Sequence, residues 1–140
     1  MKINNSKKAF TIIELMVVIT IIGILASLVA PKFMGKLETA KIKTTKAQIE
    51  MLSTALDSFN LDTGRYPTDS EGLKVLWIRN NDIRGYNGPY LPKPVNADAW
   101  GNPYIYKTTS GDHAFDITSY GKDGKEGGDE KNADISIWDS

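Results

Sequence analysis

The feature that most constrains this chain is an apolar run of 21 residues, Phe10 to Ala30, with a single charge at Glu14. At the helical rise of ~1.5 Å per residue the run is about 30 Å long, which is about the thickness of a bilayer's hydrocarbon core. Three lysines precede it and are expected to stay on the cytoplasmic side. The run therefore predicts a membrane-spanning helix with the following chain exported.

A cleavable signal peptide is the competing interpretation, because it also has a basic start and an apolar core. Its core is usually shorter, however, and here it would contain Glu14. A cut after Ala30 would place Leu28 where a small residue is preferred, and would make Pro31 the first mature residue. These features favour a retained membrane helix.

Glu14 is the most informative residue of the run, because a carboxylate at the bilayer centre costs about 3 kcal/mol even on lenient scales. No lysine or arginine lies between Phe10 and Ala30. One explanation is that Glu14 lies near the interface or is protonated. The other is a partner from elsewhere, such as the amine created by a cut before Phe10.

The stretch from Lys7 to Leu15, KKAFTIIEL, resembles the type IV prepilin signature of a basic leader, a cut, phenylalanine first and glutamate fifth. This resemblance implies that a prepilin peptidase cuts between Ala9 and Phe10 and methylates the Phe10 amine, with Glu14 acting in assembly. Ala9 replaces the family's usual glycine and is small enough to be accepted, at some cost in processing rate. The expected organisation is a leader at 1–9, a transmembrane assembly helix at 10–30 and a periplasmic domain at 31–140.

Helical spacing resumes after Pro31, which we expect to kink or loosen the helix. Charged residues fill much of the opposite face, and Gly64 offers a left-handed stop. The apolar stripe is alanine-rich and therefore suited to close packing on a small sheet. The residues of this stripe are Leu37, Ala40, Thr44, Ala47, Leu52, Ala55, Leu56 and Phe59.

The remaining chain predicts one small core. A capping box, Thr68 to Glu71, precedes an apolar group and predicts a short second helix. Residues 104–107 and 113–118 read as strands joined by a turn at 109–112, and 135–138 as a third. The predicted fold class is α+β: a long N-terminal helix packed on a small antiparallel sheet, followed by a C-terminal loop.

Four stretches, GRYPT (64–68), EGL (71–73), WGNPY (100–104) and SYGKDG (119–124), resemble the major pseudopilin of type II secretion systems, within the type IV pilin-like superfamily. The resemblance implies a structural subunit rather than an enzyme, which polymerises into the periplasmic pseudopilus that drives export of folded proteins across the outer membrane. It also implies a single-pass inner-membrane location and, as partners, minor pseudopilins, the inner-membrane assembly platform and prepilin peptidase. Ala99 replaces the proline usual before the tryptophan, with only a local effect expected.

Two other functions remain open. True type IV pilins of surface fibres usually have a C-terminal cysteine pair, and this chain has no cysteine, which favours a pseudopilin. The third hypothesis is a tethered calcium-binding domain without an assembly role, against which the Ala9–Phe10 junction and Glu14 argue.

Gly121 to Asp134 contains four glycines and five acids. Composition alone leaves two explanations: a solvated mobile loop, or a loop gathered by a hard cation such as calcium. The spacing does not match an EF-hand. The pseudopilin resemblance implies calcium, with Asp123 as the strongest ligand. The full predicted set is Asp123, Asp134, one of Asp129 or Glu130, and carbonyls around Tyr120 and Lys122.

Other chemistry finds little support. The 17 basic and 17 acidic residues cancel, which argues against nucleic acid as a partner. His113 is the only histidine, and no P-loop, HExxH or nucleophile elbow occurs. A structural role for His113 is therefore favoured over catalysis, and the three tryptophans are expected in the core or anchoring loops.

Overall fold

The computed structural model describes residues 9–139, which form two compact units that divide between Leu37 and Glu38. The predicted leader, apart from Ala9, lies outside the described residues. The first unit is the start of a single helix, α1 (Ile12–Thr63). The second unit contains the rest of α1, a 3-10 helix (Leu73–Leu76), strands β1 (Ile105–Thr108) and β2 (Phe115–Ser119), a 3-10 turn (Glu130–Asn132) and strand β3 (Ile135–Ser136).

Helix α1 has clear signals at both ends. The Glu14 backbone N–H donates to the Thr11 hydroxyl at 3.1 Å, which satisfies one of the donors left open at a helix start. Gly64, at φ 78°, ends the helix as predicted. The helix continues through Pro31 without a break, although proline has no backbone N–H to donate and its ring crowds the preceding turn.

The buried face of α1 differs from the predicted stripe in its first part. Leu52, Ala55, Leu56 and Phe59 are buried as predicted, whereas Leu37, Ala40, Thr44 and Ala47 are exposed. The buried positions before Leu52 are Glu38, Thr45 and Ile49, which share the three- and four-residue spacing of the later ones. Two of these three residues are polar. The prediction of the buried face from apolar residues alone was therefore wrong in this part of α1.

The predicted second helix is shorter and tighter than expected. The capping-box bonds are present, since the Glu71 N–H donates to the Thr68 hydroxyl at 3.2 Å and the Thr68 N–H to the Glu71 carboxylate at 2.9 Å. Gly72 then takes a left-handed conformation, φ 64°, which no α-helix can continue through. The capping box therefore closes a turn, and the helix that follows is a 3-10 helix of four residues.

The three strands form one antiparallel sheet in the order β1–β2–β3. Tyr106 pairs with Ile117, and Ser119 with Ile135. The predicted strands are confirmed with shifted ends: His113 precedes β2 and Trp138 follows β3. The core joins the second part of α1 to this sheet, with Phe59 and Ile117 both fully buried. The Phe59 ring meets Tyr86 and Tyr90 edge-on, at centroid distances of 6.1 and 5.8 Å.

Candidate functional site

The first candidate site is the apolar surface of α1 in the first unit. Its large side chains are exposed, for example Phe10 at 83%, Ile12 at 79% and Leu28 at 67%. By length and composition this part of α1 can cross a membrane, and its most apolar stretch is not buried against the rest of the described chain. An apolar surface this large marks contact with lipid or with other protein.

Glu14 lies in the first turn of α1, where a negative charge is favoured by the positive end of the helix dipole. Within residues 9–139 its side chain forms no salt bridge. Ala9 and Phe10 precede the helix and are exposed, so the predicted cleavage junction is accessible. The carboxylate is thus free to meet a positive charge brought by another chain.

The second candidate site is the acidic loop, residues 121–134. Asp123 accepts a hydrogen bond from the Lys125 N–H at 3.1 Å, and Asp134 accepts one from the Gly127 N–H at 2.8 Å through Oδ2. The other oxygen of Asp134, Oδ1, is buried and has no hydrogen-bond partner among the residues that the structure describes. An orphaned carboxylate oxygen is costly, and a cation is one of the partners that would satisfy it.

Two glycines hold the loop's backbone in close contact. A Cβ on Gly128, at φ 104°, would lie 2.4 Å from the Asn132 carbonyl oxygen, and one on Gly121 would lie 2.8 Å from that of Ala133. Any other residue would force the segments apart, so glycine is required at both positions.

The predicted metal ligands are only partly brought together. Within residues 9–139 no three carboxylates or histidines approach closely enough to form a metal-binding group. Asp123, Asp129 and Glu130 are exposed, and only Asp134 is partly buried. The metal-binding loop therefore stays a prediction, as do the ligand roles of the Tyr120 and Lys122 carbonyls.

Asp134 also borders a polar cleft of about 170 Å³ on the outer face of the sheet. Asp116, Tyr120 and Glu126 line the same cleft. Glu126 was not among the predicted ligands, and its place in this cleft was not visible from the spacing of acids along the chain.

The base of the loop contains a buried polar network that the sequence analysis missed. Asp98 is buried, and its Oδ1 accepts hydrogen bonds from the backbone N–H groups of Trp100 and Asn102, each at 3.0 Å. Its Oδ2 accepts one from the hydroxyl of Ser119, which is also buried, at 2.6 Å. The signal was an aspartate two residues before a Trp-Gly pair, which is typical of a side chain that closes a turn on its own backbone.

Polar side chains of α1 hold the same turn. The Trp100 indole N–H donates to the Glu38 carboxylate at 3.2 Å, and the Lys122 ammonium lies 3.8 Å from its other oxygen. The Ala99 N–H donates to the Thr45 hydroxyl at 3.3 Å. Glu38 and Thr45 are therefore buried with partners, as buried polar groups must be.

His113 lies in the turn before β2 and stacks on Trp138, with ring centroids 3.6 Å apart and planes 8° from parallel. The Trp138 indole N–H donates to the Phe115 carbonyl at 2.9 Å. The histidine ring thus packs against the C-terminal segment, and the tryptophan anchors that segment to β2.

Comparison with known proteins finds a family match for the domain that contains the acidic loop and another for the N-terminal apolar segment. The family model for type II secretion system protein G matches residues 32–138, and that for the prokaryotic N-terminal methylation motif matches residues 4–30.

Individual proteins agree with these family matches. The type II secretion system core protein G of Pseudomonas aeruginosa is 40% identical over 97% of this chain and 98% of its own length. That of Vibrio cholerae is 39% identical over 99% of this chain and 96% of its own length.

A solved structure agrees as well. The crystal structure of the major pseudopilin from the type 2 secretion system of enterohaemorrhagic Escherichia coli superposes with a TM-score of 0.58 at 29% identity, and covers 75% of this chain and 92% of that one. This chain therefore belongs to the protein G family of type II secretion systems, the major pseudopilins.

Proposed function

We propose that this chain is the subunit of a periplasmic pseudopilus, which it forms by polymerising through the exposed apolar part of α1, and which drives export of folded proteins across the outer membrane. The observation that carries the proposal is the coincidence, in a protein G family member, of that apolar surface with one acid, Glu14, that forms no salt bridge within residues 9–139. The runner-up, a surface type IV pilin, is disfavoured by the absence of cysteine.

Assembly follows from the change of surroundings. In the inner membrane the apolar part of α1 contacts lipid, and outside it must find equally apolar neighbours, which identical helices provide. Contacts that repeat without closing into a ring give a filament. After a prepilin peptidase removes residues 1–9, the methylated amine of Phe10 on one copy pairs with Glu14 on the next. A buried pair of this kind fixes register more than it adds stability.

The location and partners belong to the same proposal. The apolar helix gives a single-pass inner-membrane anchor with a periplasmic C-terminal domain. Minor pseudopilins and the inner-membrane assembly platform are the proposed partners in fibre growth.

We also propose that the acidic loop binds calcium. The buried, unpartnered Oδ1 of Asp134 supports this, as does the close backbone packing at Gly121 and Gly128. Asp123, Asp134 and one of Asp129 or Glu130 would supply carboxylates, with carbonyls from around Tyr120 and Lys122. Bound calcium would neutralise repulsion among these acids and stabilise a domain that has no disulfide.

The assembly proposal is tested by the intact mass of the chain extracted from membranes of its native host. The expected mass lacks residues 1–9 and carries one added methyl group. A full-length chain, or one starting at Pro31, would contradict the proposal, because the amine that pairs with Glu14 would then be missing.

The calcium proposal is tested by thermal unfolding of the full chain in detergent, with excess calcium or with EDTA. A ligand that binds only the folded state at 100 times its Kd adds about 2.7 kcal/mol of stability, so calcium is expected to raise the midpoint clearly. Asp123→Ala is expected to lower the calcium midpoint to near the EDTA value. An unchanged gap in this variant would refute the assignment of Asp123.

A further inference from the structure

Asp98 is a buried carboxylate that has no role in the proposed assembly and does not belong to the predicted set of calcium ligands. It is 6% exposed, and each hydrogen bond it accepts comes from a neutral donor: two backbone N–H groups and one hydroxyl. No salt bridge to Asp98 occurs within residues 9–139. Burying a charge is costly, so a carboxylate kept in such a place points to a requirement for its acceptor geometry.

The Ser119 hydroxyl connects Asp98 to Gly121, the first residue of the acidic loop. A hydroxyl has one proton, and in Ser119 it points at Asp98 Oδ2, 2.6 Å away. The hydroxyl's lone pairs are then available to the Gly121 N–H, which donates to Ser119 Oγ at 3.1 Å. The carboxylate thus sets the orientation of the hydroxyl that holds the first loop residue.

Asn102 holds the same loop residue from its other side. Its backbone N–H is fixed by Asp98, and its side-chain amide donates to the Gly121 carbonyl at 3.1 Å. A Cβ on Gly124 would lie 3.1 Å from the Asn102 amide, so this second glycine also packs against Asn102. Asp123 therefore lies between two glycines, Gly121 and Gly124, that both contact Asn102 in the 98–102 turn.

The 98–102 turn is also attached to α1, outside the loop. Ala99 is bonded to Thr45 and Trp100 to Glu38, both on the helix. Among the described residues, the later part of the loop is held mainly by its own backbone, as where Asp134 accepts a hydrogen bond from the Gly127 N–H.

We infer that Asp98, acting through Ser119 and Asn102, is a positioning residue that orders the loop's first turn, residues 121–124, before a cation binds. The inference rests on the calcium site proposed above. Fixing ligands in advance removes an ordering cost from binding, so the 98–102 turn sets cation affinity as well as local stability. A purely structural role would change the stability of the metal-free chain and leave affinity in the folded chain unaltered.

The test measures cation affinity of the full chain in detergent, with terbium luminescence as the probe and calcium as competitor. Ser119→Ala removes only the hydroxyl that links Asp98 to Gly121. Asp98→Asn keeps the side chain's shape and replaces one carboxylate oxygen by an NH2 group, which donates. Both are expected to raise the calcium Kd about tenfold or more at a temperature where circular dichroism shows them folded.

The matched control is Asp69→Asn, which alters an exposed carboxylate that accepts two hydrogen bonds from Thr108, at 2.7 and 2.9 Å. Its Kd is expected to stay within about twofold of the wild-type value, since Asp69 is separate from the loop. Wild-type-like Kd values for Ser119→Ala and Asp98→Asn would overturn the inference and leave the calcium proposal intact. No saturable binding by the wild type would overturn both.

Amide hydrogen exchange of the wild type in EDTA tests the order of events without any variant. The Gly121 and Asn102 amides are expected to exchange slowly in the metal-free chain, and the Lys125 and Gly127 amides quickly. Equally fast exchange at all four positions would show that the first turn is not ordered in advance and would overturn the inference.

Discussion

The two parts of helix α1 present apolar side chains in opposite ways. Before Leu37, residues such as Ile13 and Ile22 are exposed at 73% and 59%, whereas Leu52, Leu56 and Phe59 are fully buried against the chain's own tyrosines and sheet. Both parts have the same backbone geometry. The comparison teaches that the second part acquires its partners by folding, and that the first part must acquire them from lipid or from other copies.

Replacing the one acid of the first part is expected to have the largest effect. Glu14→Gln keeps the size of the side chain and removes the charge that the neighbouring amine would meet. We expect sheared fibres to disappear when the protein is overproduced, while the domain's thermal midpoint stays unchanged.

Glu50→Gln is the matched control, because Glu50 is an exposed acid on the second part of the same helix. Its fibres are expected at wild-type yield. Fibres of normal yield and spacing from Glu14→Gln would contradict the proposal that the first part of α1 finds its partners through the charge of Glu14.

Truncation of the second part's central side chain should have the converse effect. Phe59→Ala opens a cavity at a fully buried position and is expected to lower the free energy of unfolding by about 3–5 kcal/mol. Leu61→Ala, two positions along and 86% exposed, is expected to change it by less than about 0.5 kcal/mol. Denaturant unfolding of the full chain in detergent measures both, and equal losses would contradict the assigned buried face.

A smaller, pH-dependent effect is expected at Glu71. Its hydrogen bonds to Arg65, and then those to Thr68, outweigh its partial burial and lower its pKa from 4.5 to about 2. The folded chain therefore favours the ionised form, and the resulting stability is complete above pH 4.5 and is lost as the pH falls towards 2.

Glu71→Gln is expected to cost about 1–2 kcal/mol near pH 7, because it removes the bidentate Arg65 contact and weakens the cap. The difference from wild type should shrink progressively between pH 4.5 and pH 2 in chemical unfolding experiments. A difference that stays constant across this window would show that the ionised form of Glu71 is not the stabilising one.

Much of the fold followed from local pattern. The apolar run, the glycine stop and the strands all act over a few neighbouring residues, and they were predicted within a few positions. The buried face before Leu52 was wrong, because Glu38 and Thr45 are buried only through bonds to Trp100 and Ala99, which are distant in sequence. The α-helix expected after the capping box was prevented by one left-handed glycine.

The site was less predictable for a related reason. Glu14 and the Ala9–Phe10 junction form a contiguous signature, so they could be read directly. The turn that Asp98 closes had a local signal, but Asp98 meets Ser119 only because β2 ends beside the 98–102 turn, and that contact joins residues distant in sequence. Glu126 likewise joins Asp134 in a cleft that acid spacing did not reveal.

The second unit has its own hydrophobic core within one copy, and this has a thermodynamic consequence for fibre growth. In the proposed pseudopilus a subunit would enter the fibre already folded, and its anchoring helix would exchange contact with lipid for contact with other apolar helices. Because lipid tails and the isoleucine-rich surface of this helix are similarly apolar, that exchange has a small net free energy compared with transfer into water. In the proposed fibre, this small difference would keep the work of adding or removing a subunit modest.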